Sequence, residues 1–245
     1  MGAALLLIAP AAGLDFRASA PSAVFKDELF TTALADDFAR IPGAVVAGRA
    51  LQVELLAENG GWHGDEMPSA GSGIFTVAAG TSAAPEAGRR SVTVLVRTED
   101  GIPVEASAFA DEVMRILNDP RGWGAVDGVS FARTDADAEA EIVISLASPA
   151  TTDKLCGELP TNGYTSCGRG RPVNINGDRW VEGAAAFMNA GGTIEEYRAY
   201  VINHEVGHSL SHPHEECPAP GQLAPIMLQQ TLTVGECVPN GWPAP

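Results

Sequence analysis

The stretch His204-Glu205-Val206-Gly207-His208-Ser209-Leu210-Ser211-His212-Pro213-His214 constrains the fold of this chain more than any other. It holds four of the protein's five histidines, and the fifth is His63. Residues four apart share one face of a helix, so His204 and His208 on a helix address a single metal ion. Glu205 sits one step round, within reach of a water at that ion. The stretch therefore calls for a helix whose histidine face looks into the protein and opens on a cavity. The competing reading is a chance pair of histidines on a buried helix, because short patterns recur by accident.

The flanking residues supply the helix. Gly191-Gly192 breaks the chain, and Thr193-Ile194-Glu195-Glu196 forms a capping box with Thr193 at the N-cap and Glu196 at N3. Ile194, Tyr197, Val201, His204 and His208 follow at helical spacing, and Tyr200 and Leu210 widen the stripe. A catalytic zinc takes three protein ligands and keeps one position open. Pro213 disfavours helix at His212, so the chain turns there. His214, just past the turn, is the expected third ligand. His212 is its rival, although it lies off the His204–His208 line; whichever of the two is left over stands behind the ligands or faces substrate. Glu215 and Glu216 read as solvated. With Zn2+ in place the pKa of bound water falls toward ~7, and Glu205 is placed to accept its proton and pass it to a leaving amine. Those parts define a hydrolase of peptide bonds or of another amide.

Composition narrows the partners. The formal charge is −16 over 245 residues and is spread along the chain, which argues against nucleic acid and anionic membrane. Four cysteines form two local pairs, Cys156 with Cys167 and Cys217 with Cys237, without Cys-x-x-Cys spacing. In an exported chain they read as two disulfides, and in a cytosolic one as four free thiols. Residues 3–12 are apolar but too short, and too broken by Pro10, to span a bilayer. They resemble the core of a secretory signal, with Ala18-Ser19-Ala20 as a small-x-small site, although no Lys or Arg precedes them. The expectation is a signal or anchor segment over 1–20 and a secreted or cell-surface protein.

Residues 21–71 read as a poorly specified N-terminal region and linker: a helix over 30–39, a strand or helix over 50–57, and a Gly- and Ser-rich linker over 58–73 that carries a solvated His63. Residues 72–245 form the main domain. Strands are expected over 74–78, 91–97, 129–133, 140–147 and 171–176, with Pro172 placing the last near an edge. Ser107 is the expected cap of a helix that runs to Asn118 with Phe109, Val113, Ile116 and Leu117 inward. Residues 156–167 read as a loop. The fold class is α+β, a small mixed sheet packed on the histidine helix and a second helix.

The spaced set His204-Glu205-x-x-His208-x-x-Ser211-x-x-His214 resembles the metzincin zinc pattern His-Glu-x-x-His-x-x-Gly-x-x-His, and Ala224-Pro225-Ile226-Met227 resembles the Met-turn of that clan. Asp119-Pro120-Arg121-Gly122-Trp123, Leu155-Cys156-Gly157, Gln229-Gln230-Thr231 and Asn240-Gly241-Trp242-Pro243 are similar to a family of exported actinobacterial domains catalogued as a domain of unknown function, itself like a metzincin relative. The resemblance covers roughly residues 72–243. It implies a metzincin-like (zincin) catalytic domain acting on peptide or protein. His204, His208 and His214 carry over as zinc ligands, Glu205 as catalytic base and Met227 as the Met-turn residue. Two positions depart from the pattern. Ser211 stands where the clan has Gly, and no Tyr follows Met227 closely. Other readings are a zinc-stabilised cell-envelope binding domain without turnover and an amidase of cell-wall peptide. Glu205 favours turnover, because a purely structural site needs no base.

Overall fold

The computed structural model describes residues 59–245 together with Leu51, Leu55 and Leu56. The expectations for 1–20 and 30–39, and most of that for 50–57, lie outside the described residues. The elements run β1 (Phe75–Val77), β2 (Arg90–Glu99), α1 (Ala106–Leu117), α2 (Trp123–Asp127), β3 (Val129–Arg133), β4 (Ile142–Ala147), α3 (Pro149–Cys156), β5 (Cys167–Gly168), β6 (Pro172–Asn176), α4 (Gly177–Glu182), α5 (Ala185–Asn189) and α6 (Ile194–Ser209). The chain is a mixed α+β domain around a six-stranded mixed sheet.

The sheet is ordered β1-β2-β4-β6-β5, with β3 also paired to β2. Strands β2, β4 and β6 are parallel, while β1 and β5 run antiparallel to their neighbours. Val94 pairs with both Arg133 and Ile142, and Arg97 with both Val77 and Ser145. Strands β1 and β3 therefore share one edge of β2, and β4 takes the other. The β-branched run Val92, Val94, Val96 joins Ile142, Ile144, Leu146, Val173 and Ile175 on the face covered by α1 and α6. The opposite face holds only the small cluster Leu95, Ala140 and Val143. Helix α6 is buried from Tyr197 to Gly207, so it is the core element and not an amphipathic surface helix.

Two expectations change, and one holds. Helix α1 is capped by Glu105, whose carboxylate accepts the Ala108 N–H at 2.7 Å; Ser107 donates its hydroxyl to that same carboxylate and is not the cap. Pro172 lies near a sheet edge, as expected. It is the first residue of β6, which lies between β4 and β5, and β5 reaches only Val173 and Asn174. Residues 59–71 are packed domain, not linker. Gly60 O accepts the Trp180 indole N–H at 2.8 Å, Trp62 bridges Val104 and Met67 is buried. A Gly- and Ser-rich composition hid one Trp and one Met that bury against the core.

Strand β2 ends on a buried carboxylate. Glu99, 1 % exposed, accepts from the N–H of Gly73, the N–H and hydroxyl of Ser148 and the hydroxyl of Thr151, at 2.6–2.8 Å. Burial pushes its carboxyl up, but the bonds from Thr151, Gly73 and Ser148 together outweigh that and hold it below its ordinary value. A depressed folded value adds stability above the unfolded pKa of about 4.3, and that stability is lost as pH falls through the folded value. Glu99→Gln should lower the unfolding free energy by about 2–3 kcal/mol at pH 7, because a donor replaces an acceptor among buried donors. Denaturant melts of the two proteins should converge toward pH 3. A gap that does not narrow there removes the carboxylate's role.

Candidate metal centre

Helix α6 presents the site, and its start is fixed locally. Thr193 Oγ accepts the Glu196 N–H at 3.2 Å and Glu196 returns the bond to the Thr193 N–H at 2.9 Å. Its C-terminus is a Schellman turn: Ser211 N–H donates to His208 O at 3.1 Å and His212 N–H to Gly207 O at 2.9 Å. The pivot of that motif adopts a left-handed conformation, and Ser211 has φ 76°. This is the physical content of the position at which the resembled pattern carries Gly. Ser211→Gly should raise the denaturant midpoint by an amount equal to about 1 kcal/mol and leave metal content unchanged. A destabilised Gly variant would mean that the hydroxyl, and not the backbone, is what the turn needs.

The turn sends His214 back over the helix. Ligand atoms of His204, His208 and His214 all lie within 4.8 Å of one another, and Nε2 of His208 and His214 are 3.0 Å apart. Each of the two helical histidines is aimed by a carbonyl. His204 Nδ1 bonds Ile226 O at 2.9 Å, and His208 Nδ1 bonds His212 O at 3.0 Å. That leaves both Nε2 atoms for a cation. Burial pulls the His204 pKa down to about 3 and also lowers His208 and His214, so all three are neutral at neutral pH, the form that ligates. Three convergent neutral nitrogens, two of them on rings aimed by carbonyls, could hold a metal ion.

His212 does not join the triad. Its Nε2 is 2.8 Å from Asp127 Oδ2 and its ring stacks on Trp123 at 4.3 Å between centroids. No local pattern in the sequence marks either partner. His63 is exposed and remote from the cluster.

Glu205, 7 % exposed, follows His204 and lines the same cleft. Burial pushes its carboxyl up to about 8 against a backbone hydrogen bond from Gly168. No ion pair reaches it among the described residues. A cation at the histidine triad would compensate this carboxylate, which meets none among the described residues. Gly168 packs directly on the Glu205 backbone, where any Cβ would collide with Glu205 O, so strand β5 touches α6 at the base of the site.

The floor is the turn 224–228. Met227, fully buried, lies beneath α6, where a Cβ on Gly207 would be 2.5 Å from Met227 Sδ. Ile226 O aims His204, Leu228 O accepts the Tyr200 hydroxyl at 3.1 Å and Met227 O accepts the Glu215 N–H at 3.0 Å. The cleft has a volume of about 620 Å3. Its lining comes from residues 159–162 and 164–169 and from Tyr200, Gln229, Thr231 and Leu232. The disulfides pair as the sequence suggested: Cys156–Cys167 ties α3 to β5 along one wall, and Cys217–Cys237 closes the segment that carries the floor. Two disulfides suit an oxidising environment. No described helix is long and apolar enough to cross a membrane.

A mixed α+β domain with a three-histidine cluster that could hold a metal ion, two of its members on the core helix, is the class that fold and site define. Residues 62–240 match the family described as Protein of unknown function (DUF3152), and the chain belongs to that family. No curated protein and no solved structure matches it.

Proposed function

We propose that the chain is a metzincin-like, zinc-dependent metalloendopeptidase that works outside the cell or at its surface. The observation that carries this reading is the convergence of three neutral imidazoles and one buried carboxyl, Glu205, with no ion pair among the described residues, on a single cleft. Zn2+ held by His204, His208 and His214 would polarise a scissile carbonyl and acidify the attacking water. Glu205 accepts the proton of that water and delivers it to the departing amine, so one carboxyl acts as base and then as acid.

Strand β5 is the last strand of its sheet edge and lines the cleft. An extended peptide laid along it would add as a further strand and bring its carbonyl over the triad. The paired cysteines support export, and Met227 under α6 supports the metzincin reading.

The reading is tested by loading the protein with zinc and exposing it to a broad peptide library beside peptidoglycan fragments. Cleavage of peptides, arrest by a chelator and recovery on adding Zn2+ are expected. Cleavage confined to the peptidoglycan fragments would make it a cell-wall amidase. Zinc-loaded, folded and inert protein would make it a zinc-stabilised envelope-binding domain.

A further inference from the structure

We propose that Asp127 is a positioning residue that acts through His212 on the ligand His208; this rests on the metal-centre reading given above. The two helical ligands are oriented differently. His204 is buried, and its Nδ1 bonds a carbonyl in the fixed floor, Ile226 O. His208 is half-buried, and its Nδ1 bonds His212 O, beyond the end of the helix. That carbonyl hangs on a turn whose pivot, Ser211, is exposed and holds the left-handed conformation with a side chain that disfavours it. Within the turn itself, only the two Schellman bonds offset that strain.

The side chain of His212 supplies the lock from outside the helix. Its Nε2 meets Asp127 Oδ2 at 2.8 Å, and its ring lies on Trp123 with 25° between planes. Trp123 is itself fixed, 2 % exposed, with its indole N–H on Asn203 O at 3.0 Å. Both anchors sit on α2, separate in sequence from α6. The arrangement is a relay: Asp127 and Trp123 hold the imidazole of His212, the backbone of His212 holds its carbonyl, and the carbonyl sets the ring of His208. The side chains of Asp127 and His212 keep 24 % and 30 % of their exposure, so the pair contributes little to global stability. Its effect falls on ligand geometry, where a partner behind a ligand changes metal affinity by about 10–100-fold.

The test measures zinc affinity by competition with a chromogenic chelator, alongside the visible spectrum of the Co2+-loaded protein and the urea midpoint of the metal-free protein. Asp127→Ala and His212→Gln should each weaken zinc about 10–100-fold and alter the Co2+ bands, with the urea midpoint unchanged. The double variant should lose no more than either single one, because both break the same relay. Asp127→Asn, which keeps an acceptor for the His212 N–H, should recover most of the affinity. Parental affinity and spectrum in Asp127→Ala, beside loss of zinc in His208→Ala, overturn the relay alone. A parent protein that binds no zinc overturns the relay together with the metal centre.

Discussion

Glu205→Gln is expected to slow peptide hydrolysis by about 10²–10⁴-fold while zinc stays at the parental level. Glutamine keeps the shape of the side chain and cannot accept the proton of an attacking water. The loss should fall on kcat with KM little changed, because the carboxyl acts on the proton in flight and not on the resting peptide. Structural damage is not expected to confuse the result. Glu205 makes no ion pair among the described residues, and burial already raises its pKa to about 8. Replacing it with a neutral group removes a desolvation cost, so the metal-free variant should melt no lower than the parent. Steady-state kinetics with metal analysis on the same samples reads both halves. Unreduced turnover in a zinc-replete Gln variant would assign the proton transfer to another group.

Gly207→Ala is expected to destabilise the protein by about 3 kcal/mol and to strip the metal. On an exposed helix the same change would help by up to about 1 kcal/mol. Here the new methyl would lie 2.5 Å from Met227 Sδ and 2.6 Å from Trp123 Cζ2. Both neighbours are buried, at 0 % and 2 % exposure, so neither side has room to give. Moving Met227 shifts the turn whose Ile226 carbonyl aims His204, and moving Trp123 breaks its bond to Asn203 O and its stack with His212. Gly207 is thus a point where floor and wall meet through the helix. Urea denaturation and zinc stoichiometry measure the two effects. Parental stability would mean that α6 can ride up without cost. Truncating the floor as well, in Gly207→Ala with Met227→Ala, should recover part of the loss.

The local features of this chain were legible in the sequence. The start of α6 is written in Thr193 and Glu196, three residues apart, and its face in histidines four apart. Strands β2, β3 and β4 follow from runs of β-branched and apolar residues, because each run buries most of its length. What depends on distant partners was not legible. Strand β5 is two residues long and exists through its pairing with β6 and the bond from Cys167 to Cys156. No periodicity marks such a strand, yet it forms a wall of the cleft. The choice between His212 and His214 turns on Asp127, 85 residues away in sequence. The aiming carbonyls of Ile226 and His212 are backbone atoms, and no residue type announces them. The segment before β1 misled because its glycines, read as flexibility, let the backbone approach Trp180 and Phe109 closely.

The turn 224–228 also orders events during synthesis. Ribosomes deliver a chain from its N-terminus, so His204, Glu205, His208 and His214 emerge before Ile226 and Met227. Until those two arrive, His204 has no carbonyl to aim it and α6 has no floor. Asn203 then still awaits Gly241 O, which accepts its side-chain amide at 2.9 Å. A nascent chain can therefore display every ligand of the centre before it has the architecture that turns them into a site. A metal held at the triad would be captured only after residues 215–241 have emerged.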